Sequence, residues 1–376
     1  AEALQLRLEA AREDPWPGRT EEPPTGFSIE SHLEGAFREA ASAMFKAQGW
    51  SVKALPAPGG DALVLSKSRL KWRLDPQVSV KVTKPDFLLH VADPNVPQTA
   101  VYTDGRQYHF ASGQYNRVGD DAMKRQHLRD AGYRVLAATA RDVEEAQEAT
   151  RSGGGNGVAP KWFTRKAAQS LVKANIPGLS AGSFKIIGMD ALHLLQDYMS
   201  SSGARLQADQ VAKWLPAFFV AAPGSVAVAV EPGQSLLDIN YNELKRRLSP
   251  TADSQPLPSP KAGDDVAYVW VDGALAVGVR ALGPETMEIA VLLEDGPKYV
   301  GPGYEDSWRS WLHISNLLAG RVDPTIITTT SRLKEDHGDQ FAQAFLVPEE
   351  APTAEAPSEL VDRERTAGGE DTGGEQ

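Results

Sequence analysis

Asp86 heads the apolar run 87–91, and Asp104 closes the run 99–103 just before Gly105. His109 follows five residues later, between Tyr108 and Phe110, and Glu34 lies upstream in a stretch with helical spacing. Carboxylates delivered by adjacent strands can converge on a divalent cation, which takes oxygen ligands, activates water and neutralises charge on a phosphate. Asp86 and Asp104 are the candidate ligands for Mg²⁺ or Mn²⁺, with Glu34 a further ligand acting through water. A neutral imidazole at His109 would serve as general base or orient the attacking water. The chemistry so outlined is hydrolysis of a phosphodiester.

Each of these residues also has a plainer role. Asp86 after Pro85 suits a turn that opens a strand, and Asp104 before Gly105 suits a hairpin turn. Ser31 and Glu34 fit a helix capping box. Lys124, Arg125, His127 and Arg129 fall on one predicted helix, where charges ordinarily form a solvated face. Lys84, Arg106, Arg117, Lys124 and Arg125 are the candidates for contacts to a phosphate backbone.

The elements that must position these groups follow from the periodicity. Residues 28–48 read as a helix, with Leu33, Phe37, Ala40, Ala41 and Phe45 at helical spacing and Gly49 as its stop. Strands are expected at 50–55, 62–66, 78–82, 86–91 and 99–103, with a basic segment at 67–73. A helix at 120–131, a strand at 133–138 and a final helix at 143–150 complete an α/β three-layer domain over residues 28–150. Residues 1–27 read as a leading helix and linker, and the Gly-rich stretch 151–159 as a flexible boundary. A second, α+β accessory domain spans 160–346. It carries helices at 164–174, 188–200, 207–213, 235–248 and 307–318, and strands at 266–271, 274–281, 288–293 and 325–329. The pair Asp272 and Gly273 predicts a hairpin turn. Residues 347–376 read as a disordered acidic tail. No internal repeat is detectable.

Composition bounds the function. The chain has 376 residues and a net charge of −11, which at first sight disfavours DNA as a partner. The charge is unevenly placed: residues 31–140 carry fifteen Lys and Arg against ten Asp and Glu. Local fields, not the whole-chain charge, attract phosphates. The absence of cysteine excludes disulfides and thiolate metal sites and fits a cytoplasmic protein. No apolar run is long enough to span a membrane, and no phosphate-binding Gly-rich loop with a lysine is present. The chain begins at Ala1, so we read it as a processed protein or as the C-terminal piece of a longer one, the second being preferred.

Four sequence segments occur in an order that resembles the very-short-patch-repair (Vsr-like) branch of the PD-(D/E)xK endonucleases. They are Pro85, Asp86 and Phe87; Thr103, Asp104 and Gly105; Tyr108 with His109; and the run from Gly132 through Tyr133, Arg134 and Val135 to Leu136. The resemblance covers about residues 28–145. It implies a restriction-endonuclease-like three-layer α/β/α fold and a metal-dependent DNA endonuclease of DNA repair or phage defence. It further implies Asp86 as the central ligand, the backbone carbonyl of Thr103 as another, Asp104 as a second carboxylate, and His109 as the residue that helps activate water. Such domains are appended to helicases and defence systems, so a helicase or another subunit of such an assembly is an expected partner. There are departures. Tyr102 stands where the superfamily commonly places Glu, and no Lys follows it. The alternative reading is therefore a catalytically degenerate DNA-binding or partner-binding subunit.

Overall fold

The computed structural model describes residues 29–57, 59–81, 83–105, 117–153, 157–250, 257–296 and 303–337. The leading segment, the acidic tail, Arg106 and His109 lie outside the described residues. No helix among those described is long and apolar enough to cross a membrane.

The first helix, α1 (Ile29–Ala47), buries Phe37, Ala40, Ala41, Met44 and Phe45, the stripe expected from their spacing. Gly49 ends it at φ +77°, a conformation open to glycine without steric cost. Five strands follow as an antiparallel meander: β1 (Ser51–Ala57), β2 (Gly60–Lys67), β3 (Leu70–Pro76), β4 (Phe87–Val91) and β5 (Thr99–Asp104). Helix α2 (Val118–Asp130) then crosses over so that β6 (Arg134–Thr139) pairs parallel to β5, and α3 (Ala140–Ser152) leaves directly from β6. Phe87, Leu89 and Val101 point to the same side as α1, while Leu88, Ala100 and Tyr102 pack with Leu128 of α2 on the other.

One expectation is corrected here, and one strand is added. Of the strand expected at 78–82, residues 78–81 form none, and Val80 and Thr83 make only an isolated bridge; residue 82 lies outside the described residues. The basic segment 67–73 is instead the end of β2, a tight turn and the first half of β3. Its inward residues Trp72 and Leu74 reach the core while Lys71 and Arg73 take the opposite face. Charge at every second position masked that alternation.

The second half begins with α4 (Arg165–Lys173), a 3₁₀ turn (Ala181–Gly188), α5 (Ala191–Ser200) and α6 (Ser202–Val220). A mixed sheet follows in the order β11-β10-β9-β8-β7, built from β7 (Val226–Ala229), β8 (Val266–Asp272), β9 (Leu275–Ala281), β10 (Met287–Leu293) and β11 (Thr325–Thr329). Its helices are α7 (Leu236–Leu248), α8 (Tyr304–Leu317) and α9 (Thr330–His337). Helix α6 outruns the expected 207–213 because its C-terminal half is apolar all round and buried, with Pro216 inside it. The β8–β9 turn is one residue later than expected: Asp272 pairs with Leu275, leaving Gly273 and Ala274 as the loop, with Gly273 at φ +57°.

The two halves share a topology that the sequence conceals. In each, the last three antiparallel strands, β3 to β5 and β8 to β10, lead into a crossover helix, a fourth strand parallel to the third, and a helix leaving directly from it. An Asp-Gly pair stands in each at or just past the end of the third strand: Asp104 with Gly105, and Asp295 with Gly296. A threonine stands opposite that aspartate at the exit of the fourth strand. Asp104 registers with Thr139, and the Asp295 amide donates to Thr330 Oγ1.

Residues up to Asp336 belong to one compact unit, and the halves interlock within it. Helix α8 packs on β6, and α2 packs on β11, so each crossover helix covers the terminal strand of the other half. Asn316 of α8 accepts a hydrogen bond from the Ala137 amide and donates to the Ala137 carbonyl, both at 2.7 Å. These are free edge groups of β6, which would otherwise be buried without partners. Arg129 of α2 donates to Ser315 of α8 at 2.5 Å. The cores also cross the Gly-rich boundary: Leu192, Leu195 and Met199 of α5 join the core of the first sheet.

Candidate functional site

Four of the expected residues come together at the end of β5. Asp86 stands at the mouth of β4, and its Oδ2 accepts from the Thr103 amide at 2.6 Å and from the Thr103 hydroxyl at 2.8 Å. Burial pushes the Asp86 carboxyl up to about 7; the Thr103 amide opposes this, and the charges of Glu34 and Asp104 add to it. Glu34 is half-buried on α1 and accepts from Gln77 Nε2 at 2.8 Å.

Gln77 was not among the residues singled out from the sequence. It sits just past β3 at φ +54°, and its amide donates to the Asp86 carbonyl at 2.8 Å. A non-glycine residue in that region of φ costs on the order of 1–2 kcal/mol. Its backbone is therefore held against Asp86 and its side chain against Glu34. Only its place opposite Asp86 betrays this, and that place depends on the register of β3 with β4.

Asp104 is 3% exposed, and Arg125 Nη2 lies 2.6 Å from Oδ1 and 2.7 Å from Oδ2. Arg125 also lies over the Tyr102 ring, 4.9 Å from its centroid. The Tyr102 hydroxyl is 3.0 Å from that of Thr83, and burial pushes it up to about 12, so this position holds a neutral phenol. Arg125, a candidate for phosphate contacts by sequence, is 2% exposed and serves Asp104 instead. Helical spacing carried that signal: Val118, Ala122, Arg125 and Leu128 fall on the buried face of α2. Lys124 lies 3.7 Å from Asp121 on the half-buried side of the helix, while Lys84 and Arg117 are exposed.

The chemistry of this donor set can be judged against a divalent cation. Among the described residues no group of three or more His, Asp or Glu side chains is arranged to hold a metal. Asp104 would have to leave a buried ion pair, and Asp86 presents one oxygen already engaged by two donors. The set Asp86, Asp104 and the Thr103 carbonyl therefore does not fit Mg²⁺ as described.

The equivalent corner of the second half is committed elsewhere. Asp295 accepts from Thr330 Oγ1 at 2.9 Å, from the Ser331 amide at 2.8 Å and from the Ser331 hydroxyl at 2.5 Å. Thr330 Oγ1 also lies 2.8 Å from Glu294 Oε1. These carboxylates hold the first turn of α9, where amides need acceptors. At the head of β9, opposite Leu293, stands Leu275 and no acid.

No protein-family model matches this chain, and no curated protein or solved structure matches it either. At the level the structure defines, the protein is a mixed α/β protein with two mixed sheets.

Proposed function

We propose that the first half is a restriction-endonuclease-like three-layer α/β/α domain that binds DNA and does not cut it unaided. The carrying observation is the buried Asp104–Arg125 pair. Tyr102 supports the same reading, since it replaces a carboxylate with a neutral side chain. What is left is a fold whose strand-end corner is filled by its own arginine, on a segment with an excess of basic residues. The test is a plasmid incubation with Mg²⁺ or Mn²⁺ beside a salt-titrated binding assay on duplex DNA. Binding that weakens with salt, with no nicking, is expected. Divalent-dependent cleavage would overturn the reading.

One observation favours a second reading, a Mg²⁺-dependent endonuclease. The charges of Glu34 and Asp104 crowd Asp86, and a cation would relieve that crowding. Cleavage by the wild type that disappears in Asp86→Ala would establish it. Under either reading a helicase of a repair or defence assembly remains the proposed protein partner.

A further inference from the structure

The strands β1, β2 and β3 extend beyond the part of the sheet covered by α2. Their inward face carries Leu63, Leu65, Trp72 and Leu74 into the core. The register fixes what the other face shows. Lys53 pairs with Val64, and Val64 with Arg73, so these three form one row; Ser51, Ser66 and Lys71 form the next. Lys53 and Arg73 are two strands apart, about 10 Å, and Lys71 and Arg73 are two residues apart along one strand, about 7 Å.

Lys53 and Lys71 are exposed and make no ion pair among the described residues. Arg73 keeps a side chain that is 41% exposed while it holds Asp75 at 2.7 Å. Asp75 is the carboxylate of this face, and it is buried and engaged by both Arg73 and His90, with His90 Nε2 at 2.7 Å. Burial raises the Asp75 carboxyl, but His90 and Arg73 together bring it below its ordinary range, so it stays charged and already neutralised. Asp61 lies on the opposite face beside Arg38. Arg69 adds a further exposed cation at the β2–β3 turn.

Some cations elsewhere are matched: Arg246 and Arg247 share Glu243, Lys161 meets Asp272, and Lys185 meets Asp197. Others, such as Lys166 and Lys173, are exposed on a helix; the open β1–β3 face differs in holding its cations in strand register. It offers cations and serine hydroxyls on adjacent hydrogen-bonded strands, with no uncompensated acid. Phosphate oxygens are the chemistry such a surface complements, and strands fix the spacing of the contacts.

We infer that this open sheet face, through Lys53, Lys71 and the free part of Arg73, is the surface that takes the nucleic-acid backbone. The inference rests on the DNA-binding reading above. It places the interface on the sheet wing and away from the Asp86 corner.

The test uses fluorescence anisotropy of a labelled DNA duplex in EDTA at three salt concentrations. Wild type is compared with the double variant Lys53→Ala, Lys71→Ala and with Lys166→Ala, Lys173→Ala on α4, whose lysines are also exposed. The first pair should bind more weakly, and the slope of log affinity against log salt should fall by about 1.8, at about 0.9 for each phosphate no longer neutralised. The α4 pair should match wild type. Wild-type binding with an unchanged Lys53, Lys71 variant would overturn this surface and leave the DNA-binding reading standing. Equal losses in both pairs would overturn it as well. If the wild type itself fails to bind, the functional reading fails and this inference with it. All four side chains are exposed, so thermal melts of the variants should coincide with wild type.

Discussion

Arg125 reaches across from α2 to place Nη2 within 2.7 Å of both carboxylate oxygens of Asp104, with both side chains at most 4% exposed. A pair this deeply buried stabilises little against an apolar replacement, but breaking it leaves a stranded charge. Arg125→Met alone should therefore cost about 3–5 kcal/mol in urea unfolding. Arg125→Met combined with Asp104→Leu should recover most of that loss. A single variant as stable as wild type would show that the pair is not closed in solution.

Asp86 should make stability depend on pH. Its carboxyl is raised from 3.8 in the unfolded chain to about 7 in the fold. The folded state thus holds a proton that the unfolded state has lost. The stabilisation is full below about pH 4 and disappears as pH rises through about 7. Asp86→Asn keeps an acceptor for Thr103 and cannot ionise. It should melt higher than wild type at pH 8 and converge with it near pH 4. Parallel melting curves across that window would contradict the buried, crowded carboxyl.

Asn316→Leu should loosen the two halves. It orphans the amide and the carbonyl of Ala137, each buried and each costing about 1–3 kcal/mol when left without a partner. A total loss of about 2–5 kcal/mol in denaturant unfolding is expected. Amide hydrogen exchange at β6 should rise in the same variant, which a purely local packing defect in α8 would not produce.

Gly278 on β9 lies against α7. A Cβ there would stand 2.1 Å from Asn240 Oδ1 and 2.9 Å from Leu236 Cδ1. Gly278→Ala should destabilise by about 1–3 kcal/mol or more, the usual range for overpacking. Adding Asn240→Ala should return part of it. The return is incomplete because Asn240 also donates to the Ala290 carbonyl at 2.9 Å. Additive losses in the double variant would argue against a direct clash.

Most elements, and the order of the residues at the site, are written in the local sequence. Apolar spacing in 28–48 specifies α1, and apolar runs bounded by turn residues specify β4, β5 and β8 to β10, because burial periodicity is encoded residue by residue. The local sequence singled out Glu34, Asp86, Thr103 and Asp104, and the fold gathers them at one corner. Tertiary structure decided what that corner holds. Arg125 turns inward because α2 crosses over β5, and only that crossing sets a guanidinium against Asp104. Gln77 meets Glu34 and Asp86 through the register of β3 with β4, which no local pattern encodes. The repeat of the two halves lay hidden for a related reason. A strand order needs only apolar residues on the correct faces, and many side chains satisfy that requirement. The interlocking of α8 with β6 and of α2 with β11 joins residues far apart in the chain, so their pairing exists only once both sheets have formed.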